Sequence, residues 1–122
     1  MALSRFAVVH EPRSIFDDPL IHCYARNQLV LTYVSRAGLQ DYFQVPGDAA
    51  ITLEQWNLVV EHNLDAFKRI INTKYEHDDW QVHNAYGQSY PKLIVTLADM
   101  QRSGERFTID VLNLDAAFRP RS

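Results

Sequence analysis

The sequence is poor in the residues that build disulfide scaffolds and phosphate-binding loops. Cys23 is its only cysteine, so no disulfide can form within the chain, and a free cysteine is typical of a reducing compartment such as the cytoplasm. Its four glycines are scattered, which excludes the clustered glycine loop that cradles phosphates. We therefore expect a cytoplasmic protein, and no motif calls for a cofactor.

Long apolar runs and a strong charge of one sign are also missing. No run approaches the roughly 20 apolar residues that span a bilayer, and residues 1–9 lack the basic region and apolar core of a signal peptide. The formal net charge of −3 gives no electrostatic footprint for nucleic acid. These absences argue against membrane and nucleic-acid partners.

The composition that remains is that of an ordinary globular protein. With 122 residues, 47% of them hydrophobic, the chain is long enough to bury a sizeable core, roughly two-thirds of its unfolded surface. We predict one domain over residues 1–122, with an irregular tail from 113 to 122.

One long amphipathic helix is predicted over residues 51–77. Thr52 followed by Gln55 fits a capping box, and Ile51 with Trp56 fits the hydrophobic staple that accompanies it. No Gly or Pro interrupts the run, and we expect the rest of the chain to pack on its apolar face. The apolar side chains recur at three- and four-residue steps: Leu53, Trp56, Val60, Leu64, Phe67, Ile71 and Tyr75.

Before this helix the sequence predicts strands and a short helix. The β-rich segments are residues 5–10, 20–26 and 29–34. The last two form a hairpin in this interpretation, because Asn27 tolerates the left-handed conformation that a tight turn requires. Ser35 then fits the N-cap of a short helix over residues 36–43.

After the long helix we predict an irregular loop and a second hairpin. The loop covers residues 78–91, and the strands cover 92–100 and 106–112. The order of elements favours an α+β fold: an antiparallel sheet of about four to five strands packed on one long amphipathic helix plus a short helix.

The second face of such a sheet needs a cover of its own. Four apolar or aromatic side chains are candidates for this face: Leu20, Tyr24, Ile94 and Met100. Burial of this face against a second copy, or pairing of an edge strand, would satisfy it, so we expect a homodimer.

Three segments carry a resemblance to a known family. They are residues 29–35 with Leu39, residues 63–71, and residues 90–95 with Ala98-Asp99-Met100. From residue 21 to residue 100 the layout resembles a small bacterial family, the domain of unknown function 1488. Its members read as a strand pair, a Ser/Thr-capped short helix, a long helix and a final strand. The resemblance implies a fold and no established activity, so it assigns no site residue.

The most suggestive stretch for function is the aromatic, histidine-rich segment 75–90. Aromatic side chains combine a large apolar area with a polar tip, which suits recognition of a protein or small-molecule partner. We therefore predict a binding surface on the loop after the long helix, formed by Trp80, His83, Tyr86 and Tyr90. In a competing interpretation Trp80 and Tyr90 pack back onto the sheet, and the polar side chains around them are solvated.

A small metal-dependent hydrolase is the alternative from a different class. His77, Asp78, Asp79 and His83 offer imidazole and carboxylate donors suited to zinc or manganese, although their spacing matches no known signature. Elsewhere His22 beside Cys23 invites a Cys–His dyad, but adjacent residues on a strand point to opposite faces. We therefore expect a binding or interaction module rather than an enzyme, with no catalytic or metal-ligating residue assigned.

Overall fold

A computed structural model describes residues 3–10, 17–46, 51–85 and 87–113 of the chain. These residues form one five-stranded sheet with helices, in the strand order β1-β2-β3-β5-β4. The strands are β1 (Ser4–Val8), β2 (Leu20–Ala25), β3 (Gln28–Val34), β4 (Gln81–Ala85) and β5 (Gln88–Val95). The helices are α1 (Arg36–Tyr42), α2 (Leu53–His62), α3 (Leu64–Glu76) and α4 (Leu97–Arg102).

The sheet is antiparallel at every junction except the one between β3 and β5. That junction is parallel because α1, α2 and α3 lie between the two strands in the chain, and a parallel pair needs such a crossover connection. The predicted α+β class, with a mostly antiparallel sheet packed on helices, is confirmed.

The first hairpin lies where the sequence predicts it, with one change in its turn. The pairs run from Leu20 with Tyr33 to Ala25 with Gln28. The residue in the left-handed region is Arg26, at φ 58°, and not Asn27 as expected. The register leaves Arg26 and Asn27 as a two-residue turn between the strands.

The helical run 51–77 is not one helix, and this prediction is wrong at Asn63. The start is as predicted: Thr52 Oγ1 accepts from the Gln55 amide at 3.1 Å, and Gln55 Oε1 accepts from the Thr52 amide at 2.9 Å. At Asn63 the backbone leaves the helical conformation, with φ −103° and ψ 20°, which ends α2 before α3 begins at Leu64.

The predicted second hairpin is also wrong. The hairpin of this region is β4 with β5, which begins inside the stretch expected to be a loop. Residues 92–95 are a strand as predicted. β5 ends at Val95, because Thr96 and Asp99 form a capping box that starts α4. Residues 106–109 are not a strand, and Asp110–Leu112 is a single 3₁₀ turn. The predicted irregular tail lies beyond Asn113, outside the described residues.

The core lies between one face of the sheet and the helices. The strands contribute a face that includes Ile21, Cys23, Val30, Val34, Leu93 and Val95. Helices α2 and α3 contribute Trp56, Val59, Val60, Phe67, Ile70 and Ile71. Within the described part of the chain, none of the helices combines the length and apolar character that crossing a lipid bilayer requires.

Candidate binding surface on the sheet

The sheet face turned away from the helices is apolar and aromatic. Side chains alternate along a strand, so residues next to core positions point to this second face. The core cluster contains none of Leu20, Leu29, Leu31, Tyr33 or Tyr90, although all of them lie in the strands. We call this second side of the sheet the open face.

Strand register arranges the open face in rows across the sheet. The rows are Leu20–Tyr33–Ile94, His22–Leu31–Lys92–Gln81, Tyr24–Leu29 and Tyr90–His83. A cleft of about 630 Å³ runs over part of these rows. It is lined by Leu20, His22, Leu29, Leu31, Tyr33, His83, Ala85 and Tyr90.

Exposure confirms that this face is accessible in places. Ile94 is 41% exposed, and Tyr33, His83 and Tyr90 are half-buried. Leu31 is only 9% exposed, because its neighbours on the flanking strands cover it. An apolar floor with half-buried aromatic and imidazole groups around it is the usual composition of a ligand site.

The charged groups on the strands are all basic. No Asp or Glu occurs in any of the five strands, whereas the chain as a whole has 15 acidic residues. Lys92 Nζ lies 5.2 Å from the centre of the Tyr33 ring, and the Arg5 guanidinium lies 4.0 Å from that of Tyr24. Both contacts are cation–π interactions, which hold the cations against aromatic faces.

Two of the four predicted binding residues lie together on the open face. His83 and Tyr90 are directly opposite each other across β4 and β5. The Tyr90 hydroxyl donates to Gln88 Oε1 at 2.6 Å, so the ring is held along its own strand. Tyr86, between the two strands, lies outside the described residues.

Trp80 lies on the helix side of the sheet and does not join this pair. Its ring stacks on Tyr75 of α3 with 6.1 Å between ring centres and 16° between planes, and it packs against the core. Trp80 therefore packs against α3 and the core, apart from His83 and Tyr90.

The residues of the metal hypothesis do not come together. The His77 ring lies 2.7 Å from the Thr73 carbonyl, Asp79 pairs with Lys74, and His83 lies on the open face. Among the described residues no group of three His, Cys, Asp or Glu side chains is placed to hold a metal ion.

A second, smaller cleft of about 370 Å³ lies between α3 and α4, and its charges neutralise each other. Lys74 Nζ donates to Asp79 at 2.7 Å and to Asp99 at 2.9 Å, and Arg102 donates to Asp99 at 2.9 Å. Arg69 makes a two-point contact with Glu105. Since the charges in this cleft are already paired, we interpret it as a structural junction.

The pKa values in this cleft follow from that pairing. Burial alone would raise the pKa of Asp99, but hydrogen bonds from Thr96 and the ammonium of Lys74 outweigh it, so the pKa lies below its ordinary value. Burial alone would lower the pKa of Lys74, and the two carboxylates reverse this, so that pKa is raised. Both groups are held in their charged forms at neutral pH.

Cys23 is not placed to act as a nucleophile. Burial raises the pKa of its thiol to about 11, opposed by Thr32, so the thiolate is scarce at neutral pH. The side chain is 0% exposed and lies in the core, whereas His22 is on the open face. The expected separation of His22 from Cys23 is confirmed.

The floor of the open face was missed in the sequence analysis. Leu29, Leu31 and Tyr33 alternate with buried Val30, Thr32 and Val34, so β3 has two largely apolar faces. This pattern was the available signal, because a half-solvated antiparallel strand normally alternates apolar with polar residues.

Comparison with protein-family models, curated proteins and solved structures finds no match for this chain. The resemblance to the domain of unknown function 1488 therefore stays a prediction from the sequence.

Proposed function

We propose that this protein is a small binding module and that the open face is its recognition surface. The observation that carries this proposal is the cleft of about 630 Å³ lined by Leu29, Leu31, Tyr33, His83 and Tyr90. Clefts of roughly 300–1,000 Å³ that combine apolar side chains with a few orienting polar groups are typical small-molecule sites. The walls of this cleft expose polar and apolar surface in similar amounts.

The composition of the cleft supports binding over simple solvation. A sheet face that is fully exposed to solvent is usually polar, because exposing apolar surface to water is unfavourable. Here leucine side chains from β2 and β3 form the floor, and tyrosine and histidine tips supply hydrogen-bonding groups at the rim. This arrangement gives an apolar ligand both contact area and orientation.

A titration with decanol, a neutral apolar probe, tests the proposal. We expect amide shifts in a ¹H–¹⁵N NMR spectrum to concentrate on β3, β4 and β5, and Tyr90→Ser to weaken binding at least threefold. Val111→Ser is the matched control, because Val111 is 36% exposed and lies in the 3₁₀ turn, away from the cleft. Shifts confined to other surfaces, or no saturable binding, would refute the proposal.

We also propose that two copies associate through the edge of β4. This strand is uncharged, and its Val82 is 61% exposed. The other edge strand, β1, carries Arg5 and a register shift between Ser4 and Ala7. Charges and bulges are the usual protection of edge strands against pairing, and β4 has neither.

The single free Cys23 supports a reducing, cytoplasmic location in this proposal.

A further inference from the structure

We infer that the ligand of the open face is a small amphiphilic carboxylate, with an apolar body for the cleft and an anionic head. This inference rests on the proposed function and adds the chemical class of the ligand. Its basis is the sign of the charges on the strands, which is independent of the size and apolar lining of the cleft.

The five strands contain no acidic residues. The protein carries a net charge of −3, yet none of the Asp and Glu residues that the structure describes lies in a strand. The ionisable basic groups on the open face are Lys92, His22 and His83, and the Arg5 guanidinium lies over Tyr24 of the same face. An anion approaching this face therefore meets no strand carboxylate, in a protein that otherwise repels anions.

Lys92 of β5 lies beside the floor of the cleft. Its row places it between Leu31, on the floor of the cleft, and Gln81 on the edge strand. Its ammonium lies over Tyr33, which also lines the cleft. Within the described residues Lys92 has no salt bridge, whereas Lys68 and Lys74 both pair with carboxylates. Lys92 is thus the cation placed to receive an anionic head group while the apolar body lies on the leucines.

A second copy of the chain and a polyanion fit the open face less well than a single amphiphilic carboxylate. A second copy packed face to face would bring basic groups towards basic groups and supply no strand carboxylate to pair with them, which costs free energy. A polyanion such as a nucleic-acid strand would use the cations but leave the apolar floor largely unfilled. A single carboxylate with an apolar body satisfies both parts of the surface.

The experiment compares three probes of the same chain length: decanoate, decanol and decyltrimethylammonium. The two ionic probes are kept below their critical micelle concentrations and decanol below its aqueous solubility. Isothermal titration calorimetry on the full chain should give decanoate about tenfold tighter binding than decanol, and still weaker binding of the cation. Raising the salt concentration should weaken the binding of decanoate and leave the binding of decanol nearly unchanged.

Substitution of Lys92 assigns the effect to one residue. Lys92→Gln should reduce the affinity for decanoate to that for decanol and leave the affinity for decanol unchanged. Lys92→Arg should retain the preference for decanoate over decanol. Lys68→Gln is the matched control, since Lys68 lies on α3 and should change neither probe. Thermal unfolding of each variant reports whether the fold is intact, and Lys92→Met is a second uncharged substitution that makes the same test if the Gln variant unfolds.

The outcomes separate the two proposals. Equal binding of decanoate and decanol, or a decanoate preference that survives Lys92→Gln, would overturn the inference and leave the binding module standing. Absence of binding by all three probes would overturn both. Binding of single-stranded oligothymidylate at the same face without binding of decanoate would assign the cations to a polyanion and also overturn the inference.

Discussion

Asn63 lies between α2 and α3, and its side chain ties the residues before the 3₁₀ turn to the helices. Asn63 Nδ2 donates to the carbonyls of Val59 at 2.7 Å and Thr108 at 2.8 Å, while Oδ1 accepts from the Thr108 amide at 2.9 Å. The residue is 7% exposed, so these bonds replace water for the backbone of Thr108. A primary amide is suited to this role, because it donates and accepts at one position.

Removal of this amide should destabilise the fold. We expect Asn63→Ala to lower the free energy of unfolding by about 2–3 kcal/mol, because the N–H and C=O of Thr108 would lose their partners in a half-buried place. Urea denaturation monitored by tryptophan fluorescence measures the change. Gln101→Ala, which removes an exposed amide on α4, is the matched control and should change stability by less than about 0.5 kcal/mol. Equal effects at the two sites would contradict the role assigned to Asn63.

The break at Asn63 could not be predicted from local pattern alone. The apolar spacing continues through it, from Val60 to Leu64 and Phe67, so the periodicity predicts one helix. At the break the Asn63 side chain bonds to Thr108, a partner 45 residues away in the chain. Cys23 is the opposite case, since its burial on the core face follows from strand alternation alone.

Among the elements, the α3–α4 junction depends on one buried ion-pair cluster. The Asp99 side chain is 7% exposed and that of Lys74 11%, and Asp99 also caps α4 through Thr96. A buried charge that loses its partner is costly, because water cannot solvate it. The cluster therefore fixes α4 against α3.

Asp99→Asn should destabilise the protein by about 2 kcal/mol at pH 7, because Lys74 loses one of its two carboxylates and the capping box is weakened. Asp65→Asn is the control, since that carboxylate is 87% exposed and lies 3.8 Å from Lys68. It should change stability by less than about 0.5 kcal/mol. Equal effects of the two substitutions in urea denaturation would refute the structural role of the cluster.

The same cluster sets a pH dependence. The pKa of Asp99 is lower in the folded state than its ordinary value of 3.8, so its contribution is present above that pH and is lost as the pH falls through the folded pKa. The pKa of Lys74 is raised above 10.5, so its contribution is lost only at higher pH. The stability difference between the parent and Asp99→Asn should therefore be constant from about pH 5 to pH 9 and shrink below pH 3.8.

Element boundaries with a local chemical signal were predictable, and the others were not. Ser35 and Thr52 cap α1 and α2 as the sequence indicates. Thr96 followed by Asp99 carries a similar signal for α4, but the apolar residues around it favoured a continued strand. The β4–β5 turn includes Gly87 at φ 74°, and the polar, aromatic residues around it hid two short strands inside an apparent loop.

At the scale of the whole molecule, the sequence predicts a sheet with two faces to cover but not which side chains share the second face. That grouping depends on the parallel β3–β5 junction, which brings Tyr33 beside Ile94 and Leu31 beside Lys92. Long-range pairing of this kind leaves no periodic trace in either strand. His83 and Tyr90 were therefore foreseeable as surface residues, whereas their place beside a leucine floor was not.

The edge of β4 gives the last prediction, which concerns assembly. Light scattering at micromolar concentration should give twice the chain mass of 14.1 kDa, because two uncharged β4 strands pair antiparallel about a twofold axis. Val82→Lys places like charges next to each other across that axis and should weaken the dimer at least tenfold. Val111→Lys, on the 3₁₀ turn, is the control and should leave the mass doubled. A parent protein that scatters as a monomer, or a Val82→Lys variant that stays dimeric, would show that β4 is not the interface.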